Sequence, residues 1–222
     1  MPMTVSEVLQ QIHRLYEGNT DYPSSGSDDY NLRLGLINDA IKEWETFRQT
    51  RWKELYATTS LTTVSGTSQY SLPSDFKEIA SLVYIDDLYY KIVRNDMVKS
   101  LQEADSTARF CWITGTPTAY QLNVNPEPDE SGKSIELSYY KYASSVSNDT
   151  DVLPMSMPMF VSYWVVARLY DQDGNGAMTT YYEQKANDVM SAMIDLNENI
   201  PYEQSGSLLD NDTNYTVFGE KL

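Results

Sequence analysis

Residues 153–196, LPMSMPMFVSYWVVARLYDQDGNGAMTTYYEQKANDVMSAMIDL, decide the fold. The first half of this stretch is apolar on nearly every side, so the helix that it predicts has to be buried by other elements. Tyr163 and Arg168 interrupt it, and it is too short to cross a membrane. In the second half, apolar residues recur every three or four positions, which is the period of an amphipathic helix. We therefore predict a helical hairpin against which the rest of the chain packs.

Two more helices are predicted at the N-terminal end of the chain. Thr4 and Glu7 have the spacing of a capping box, and an apolar stripe follows them. A second helix is predicted over Asp29–Trp52, where apolar residues recur at steps of three and four. Its basic end, RQTRWKEL, complements the negative end of the helix dipole. The predicted core of the resulting bundle comprises Ile37, Ile41, Trp44, Phe160, Trp164 and Ala167.

The period changes to two between these helices, over residues 56–143. ATTSLTTV and SQYSLP predict a β-hairpin with Gly66 in its turn, and the runs on either side of Asp86–Asp87 predict a second hairpin. A short helix capped by Asp96 is expected over residues 95–104, and three further strand-like runs follow it. The order helices, strands, helices predicts an α+β fold rather than an alternating βαβ one.

The chain therefore divides into four parts. Residues 1–55 supply the N-terminal helices of the bundle, 56–143 an inserted β-rich unit, and 144–200 the C-terminal helical hairpin. Residues 201–222 are rich in Ser, Asn, Gly and Asp and lack periodicity, which predicts an extended tail. Apolar residues that have no core of their own often dock on a partner. In this tail they are Leu208, Leu209, Tyr215, Val217 and Phe218.

The charge of the chain restricts its partners. The formal net charge is −16 at pH 7, so the chain repels phosphate backbones and a conventional nucleic-acid binder is disfavoured. The acidity could serve solubility, or it could allow a surface to stay near DNA without binding it. The sequence leaves both explanations open. The single cysteine excludes an intrachain disulfide framework. The N-terminus lacks the blocks of a signal peptide and no membrane-spanning run is present, so synthesis in a cytoplasm is expected.

Residues with catalytic chemistry are scarce. His13, the only histidine, lies on the first predicted helix, and Cys111 lies in an apolar strand-like run. Neither has the neighbours that activate a nucleophile. Zinc-ligand spacings and glycine-rich phosphate loops are absent from the sequence. We therefore expect a protein that is not an enzyme and has no catalytic residues, metal or cofactor.

The loop DQDGNG at residues 171–176 matches the opening of a calcium-binding loop, with oxygen-bearing residues at its first, third and fifth places. The twelfth place should be a bidentate glutamate, but Tyr182 stands there and Glu183 comes one residue late. The pattern favours a helix–helix turn built from Gly and Asx residues, and leaves ion binding as the alternative.

A series of short motifs in fixed order resembles the head-to-tail adaptor, or connector, proteins of tailed bacteriophages. INDAIKEW on the second helix is followed by SGTSQYSLPSDFKEI, TGTPTAYQL, NPEPD and SIELSYYKY. DTDVLPMSMPMFVSYWVVARLY and YYEQKANDVM complete the series. The resemblance extends over residues 4–200 and does not include the tail.

This resemblance implies a structural role in the virion neck, between head and tail. Copies of the chain are expected to form a ring, twelve-fold in this family, that continues the DNA channel below the portal. The expected partners are the portal protein, tail or nozzle proteins and other copies of the chain, with no membrane. DNA would pass through without specific binding, and Leu208, Leu209, Tyr215, Val217 and Phe218 would reach the portal.

Two other interpretations remain. The chain could be a different neck or tail-completion protein, which would differ in position and symmetry within the virion. It could also be an acidic protein that mimics DNA and inhibits a DNA-binding enzyme. The last interpretation predicts a compact monomer or dimer that competes with DNA for a basic partner.

Overall fold

Helices and strands occupy separate stretches of the chain. The computed structural model describes residues 2–198, and within them the fold is mixed, with five α-helices and a seven-stranded sheet. The helices are α1 (Val5–Tyr16), α2 (Asp28–Thr46), α3 (Val98–Ala104), α4 (Met159–Gln172) and α5 (Gly176–Glu198). The strands are β1 (Tyr56–Thr62), β2 (Gln69–Ser71), β3 (Phe76–Ile85), β4 (Leu88–Ile92), β5 (Phe110–Thr116), β6 (Ala119–Asn125) and β7 (Ser134–Lys141).

Helix α1 begins with the capping box predicted from its sequence. The Glu7 amide donates to Thr4 Oγ1 at 3.3 Å, and the Thr4 amide donates to Glu7 Oε2 at 2.8 Å. Two backbone donors that have no partner within the helix are satisfied in this way.

Helix α2 ends at Thr46, six residues before the predicted end at Trp52. The backbone of Arg48 and Gln49 is left-handed, with φ of 48° and 58°, so the chain leaves the helix axis. Trp52 then folds back onto Trp44, with ring centroids 5.2 Å apart, and its indole N–H donates to the Trp44 carbonyl at 2.7 Å. The last turn of α2 therefore contains no basic residue. The prediction that basic side chains complement the helix dipole at this end was wrong.

The second predicted hairpin is confirmed and the first is wrong. β3 and β4 pair around Asp86 and Asp87, whose φ angles of 50° and 61° suit a two-residue hairpin turn. β1 instead pairs with β7, and β2 with β6. The turn around Gly66 is bonded to the loop before β7, since the Gly66 amide donates to the Pro128 carbonyl at 2.9 Å. The SGT turn therefore separates two strands that do not pair with each other.

The helix predicted between β4 and β5 is shorter than expected. A 3₁₀ turn, Asn95–Met97, precedes α3. Asp96 does not cap this helix, since its carboxylate accepts from Arg94 Nη2 at 2.8 Å. The Asp96 cap was therefore a wrong prediction.

The sheet has the order β1-β7-β3-β4-β5-β6-β2. Neighbouring strands are antiparallel except β4 and β5, which are parallel. The β5–β6 hairpin depends on Gly115, whose φ is 109° and where a Cβ atom would lie 2.2 Å from the Ala119 carbonyl oxygen. β1 and β2 are the two edges of the sheet.

Two apolar clusters form the interior. One is shared by α1, α2, α4 and α5, and α4 packs against each of the other three. The other lies along the inner face of the sheet. Glu45 of α2 connects the two regions, because its buried carboxylate accepts from Lys77 Nζ at 2.8 Å and from the Ala143 amide at 3.1 Å.

Candidate assembly surfaces

The residues predicted for the bundle core meet around α4, with one exception. Five of the six are nearly inaccessible to solvent and belong to the helical cluster: Ile37, Ile41, Trp44, Phe160 and Ala167. Trp164 is only partly buried and packs at the margin of this cluster. The Arg168 guanidinium lies 4.8 Å from its ring centroid, so this indole is covered on one side by a cation rather than by apolar side chains.

The segment that leads from β7 into α4 is held by hydrogen bonds to the N-terminal helices. Asp149 accepts from the Tyr30 hydroxyl at 2.7 Å, and its backbone carbonyl accepts from the Ser6 amide at 3.0 Å. Asn38 of α2 makes a reciprocal pair with the backbone of Val146, at 3.0 and 2.9 Å. Burial, followed by the bond to Asp149, raises the pKa of Tyr30 to about 12. The N-terminal helices are joined through this segment to the start of α4.

The predicted loop at residues 171–176 contains the turn between α4 and α5, which is residues 173–175. Gly174 has a φ of 72°, and Asn175 Oδ1 accepts from the Met178 amide at 3.3 Å in the first turn of α5. The Asp173 carboxylate accepts from the Tyr16 hydroxyl, which attaches the turn to the end of α1. Two of the oxygen-bearing side chains of the calcium-like motif therefore have structural partners within the protein.

The C-terminal end of α5 is fixed beside the segment that follows α2. The Lys53 amide donates to Asn197 Oδ1 at 2.9 Å, and Asn197 Nδ2 donates to the Arg51 carbonyl at 2.9 Å. Arg51 in turn pairs with Glu78 of β3 at 3.0 Å. The chain therefore enters residues 199–222 at the junction between the helices and the sheet. The proposed portal-binding residues Leu208, Leu209, Tyr215, Val217 and Phe218 lie outside the described residues.

The two side chains considered for nucleophilic chemistry are both buried. Burial raises the pKa of the Cys111 thiol to about 12, so this cysteine is protonated at neutral pH. Burial, and then the nearby Arg33, lower the pKa of His13. Between residues 2 and 198, no group of three or more His, Cys, Asp or Glu side chains could hold a metal ion. Neither side chain therefore has the partly exposed setting of an activated nucleophile or base.

One face of the sheet is exposed and poor in charge. Along β1 and β7, alternate side chains point away from the inner cluster, and β3 adds Leu82 and Tyr84, whose side chains are 45% and 38% exposed. We call this surface the neutral face, because Glu136 and Glu78 are the only carboxylates that the described strands β1, β3 and β7 place on it, and Glu78 is paired with Arg51. It consists of Tyr56, Thr58, Ser60, Thr62, Glu78, Leu82, Tyr84, Ser134, Glu136, Ser138 and Tyr140.

Sequence reasoning missed the neutral face. The alternation of β3 was a usable signal for the outward direction of Tyr84. Leu82 has the same phase as Tyr84, so the period of two indicated its outward direction as well. At the bulge between Ile79 and Val83, β3 passes three residues where β7 passes only Ser138, and no local signal in the sequence marks this irregularity.

A family model described as SU10 adaptor protein matches residues 3–207. This span contains both helical regions and the whole sheet. The chain belongs to the SU10 adaptor protein family. The resemblance to phage head-to-tail adaptors is thereby confirmed. No curated protein sequence matches the chain.

Membership of the SU10 adaptor family identifies a bacteriophage adaptor and a structural rather than an enzymatic family. It implies a place in the virion and interaction with other virion proteins, such as those of the portal or tail. Across the part of the chain that the structure describes, no helix is both long enough and apolar enough to cross a membrane.

Proposed function

We propose that the protein is the head-to-tail adaptor of a tailed phage. In this proposal twelve copies form a ring beneath the portal, extend the DNA channel and provide the platform on which tail or nozzle proteins dock. The observation that carries the proposal is the family match over residues 3–207, which spans nearly the whole described chain.

The architecture supports a ring subunit in which different parts of the chain have different roles. Residues 1–55 and 144–200 would form the helical bundle, 56–143 the β-rich unit inserted into it, and 201–222 the tail. The apolar cluster centred on α4 supports this bundle, because all of the other long helices contribute to it. The hydrogen bonds of Asp149 and Asn38 join the C-terminal half to the N-terminal helices, as one rigid subunit requires.

The acidity of the chain supports a DNA conduit. A net charge of −16 on each copy would give a ring a strongly negative field. Carboxylates that line a channel repel the phosphate backbone, so DNA would slide through without specific binding.

The C-terminal residues would make the contact with the portal. Their chain leaves α5 beside Arg51 and Lys53, where the last described turn is held by three hydrogen bonds. A segment that starts from a fixed point can reach a neighbouring ring in a defined direction. Its contact residues would be Leu208, Leu209, Tyr215, Val217 and Phe218.

The test is to mix the purified protein with the portal ring of its own phage. We expect negative-stain images to show a second ring on one end of the portal. Mass photometry should give an increase equal to twelve copies of the 25.3 kDa chain. Absence of any ring-shaped complex would count against the proposal. A compact monomer that competes with DNA for a basic protein would instead favour the DNA-mimic interpretation.

A further inference from the structure

Among residues 2–198, no strand pairs with the outer edge of β1, which therefore stays open. β1 is the end strand, it has seven residues, and its sequence YATTSLT contains no proline, glycine or charged residue. Exposed edges of this kind usually carry lysine, proline or a bulge, which prevent pairing with another chain. β1 pairs with β7 without a bulge over all seven positions. Its free edge is therefore competent to accept a further polypeptide.

The neutral face adjoins this open edge and has the composition of a contact surface. Tyrosine is enriched and charged residues are depleted at the centres of protein interfaces. Tyr56 and Tyr84 are 47% and 38% exposed. Their rings therefore offer apolar contact area that the described subunit leaves in solvent. The face contains a shallow concavity of about 440 Å³, and the bulge in β3 places Leu82 at its wall. Apart from Tyr140, which packs against the helical cluster under Arg51, these residues lie at the surface of the described chain.

The charge of the whole chain indicates which partner covers this face. Two copies that each carry −16 repel each other wherever carboxylates meet. Apart from the ion pair of Glu78 with Arg51, Glu136 is the one carboxylate on the described neutral face. Copies can therefore approach through this face without bringing many acids together. A basic partner would instead be attracted to the acidic surfaces elsewhere.

We infer that the neutral face and the open edge of β1 form a contact surface for a second copy of this chain. This inference rests on the proposed ring and assigns one side of the subunit interface. The neighbouring copy covers the face with a different part of its surface. A face that packed only against itself would give a two-fold pair, whereas a ring requires unlike surfaces in contact.

The experiment introduces charge where the inference requires neutrality. The double variant Thr58→Glu, Ser60→Glu adds two carboxylates to the exposed side of β1. The matched variant Thr58→Gln, Ser60→Gln has side chains of similar size without the charge. Ser100→Glu places a single carboxylate on the exposed surface of α3, away from the neutral face. Circular dichroism checks that all three variants fold.

Ring formation on the portal is then measured by mass photometry at about 0.1 M salt, where exposed charges still interact across one Debye length. We expect the double Glu variant to lose the ring and remain monomeric, with partial recovery in 1 M salt. The double Gln variant and Ser100→Glu should form rings like the wild type. A double Glu variant that assembles at the wild-type yield overturns the inference and leaves the proposed function standing. A wild-type protein that forms no ring overturns both.

Discussion

Trp44 and Trp164 fit the same apolar pattern in the sequence but lie in different environments. Trp44 is fully buried and stacks on Trp52, whereas Trp164 is partly buried under Arg168. The sequence could not separate them, because periodicity reports which side of a helix is apolar and not how completely neighbours cover it. The segment 47–52, which folds back to cover Trp44, supplies the difference.

We expect Trp44→Ala to lower the free energy of unfolding by about 3–5 kcal/mol, the usual cost of removing a large buried side chain. Trp164→Ala should cost about 1–2 kcal/mol, because the indole is already partly in solvent and a cation–π contact is worth about 0.5–1 kcal/mol. Urea unfolding followed by circular dichroism measures both values. Equal losses for the two variants would show that Trp164 carries as much of the core as Trp44.

At the scale of elements, the features predicted correctly are ones whose partners lie close in sequence. The capping box of α1 and the β3–β4 hairpin were predicted correctly for this reason. The pairing of β1 was not, because Tyr56 lies opposite Tyr140 in β7 and no local signal identifies so distant a partner. The end of α2 was missed because Arg48 and Gln49 adopt left-handed backbone angles that their residue types disfavour.

The turn of the β3–β4 hairpin can be stabilised by a single substitution. Asp87 has a φ of 61°, a region that glycine enters at no steric cost and that favours Asp-Gly in two-residue turns. We expect Asp87→Gly to raise the free energy of unfolding by about 0.5–1 kcal/mol, measured by thermal unfolding. The matched change Asp39→Gly, in the exposed surface of α2, should lower it by about 0.3 kcal/mol, the difference in helix propensity between Asp and Gly. A lower stability for Asp87→Gly would contradict the left-handed turn.

At the scale of the whole molecule, the described subunit has its own apolar core and its own network of hydrogen bonds. The apolar clusters and the hydrogen bonds at Asp149, Glu45 and Asn197 lie within residues 2–198. The family match ends at residue 207, immediately before Leu208. The sequence of the tail has no periodicity, so no regular conformation could be derived from it. Its function therefore has to be tested by removing it.

We expect a chain that ends at residue 200 to fold normally and to bind the portal about tenfold more weakly or worse, a loss of about 1.4 kcal/mol or more. The reason is that the removed residues include five apolar side chains and none of the described core. A full-length control with Leu208, Leu209, Tyr215, Val217 and Phe218 replaced by serine keeps the length of the tail and should lose binding equally. Unchanged thermal unfolding with weaker binding, measured by biolayer interferometry on immobilised portal rings, would support the tail as the portal contact. Normal assembly of the shortened chain would show instead that the portal contact lies on the folded subunit.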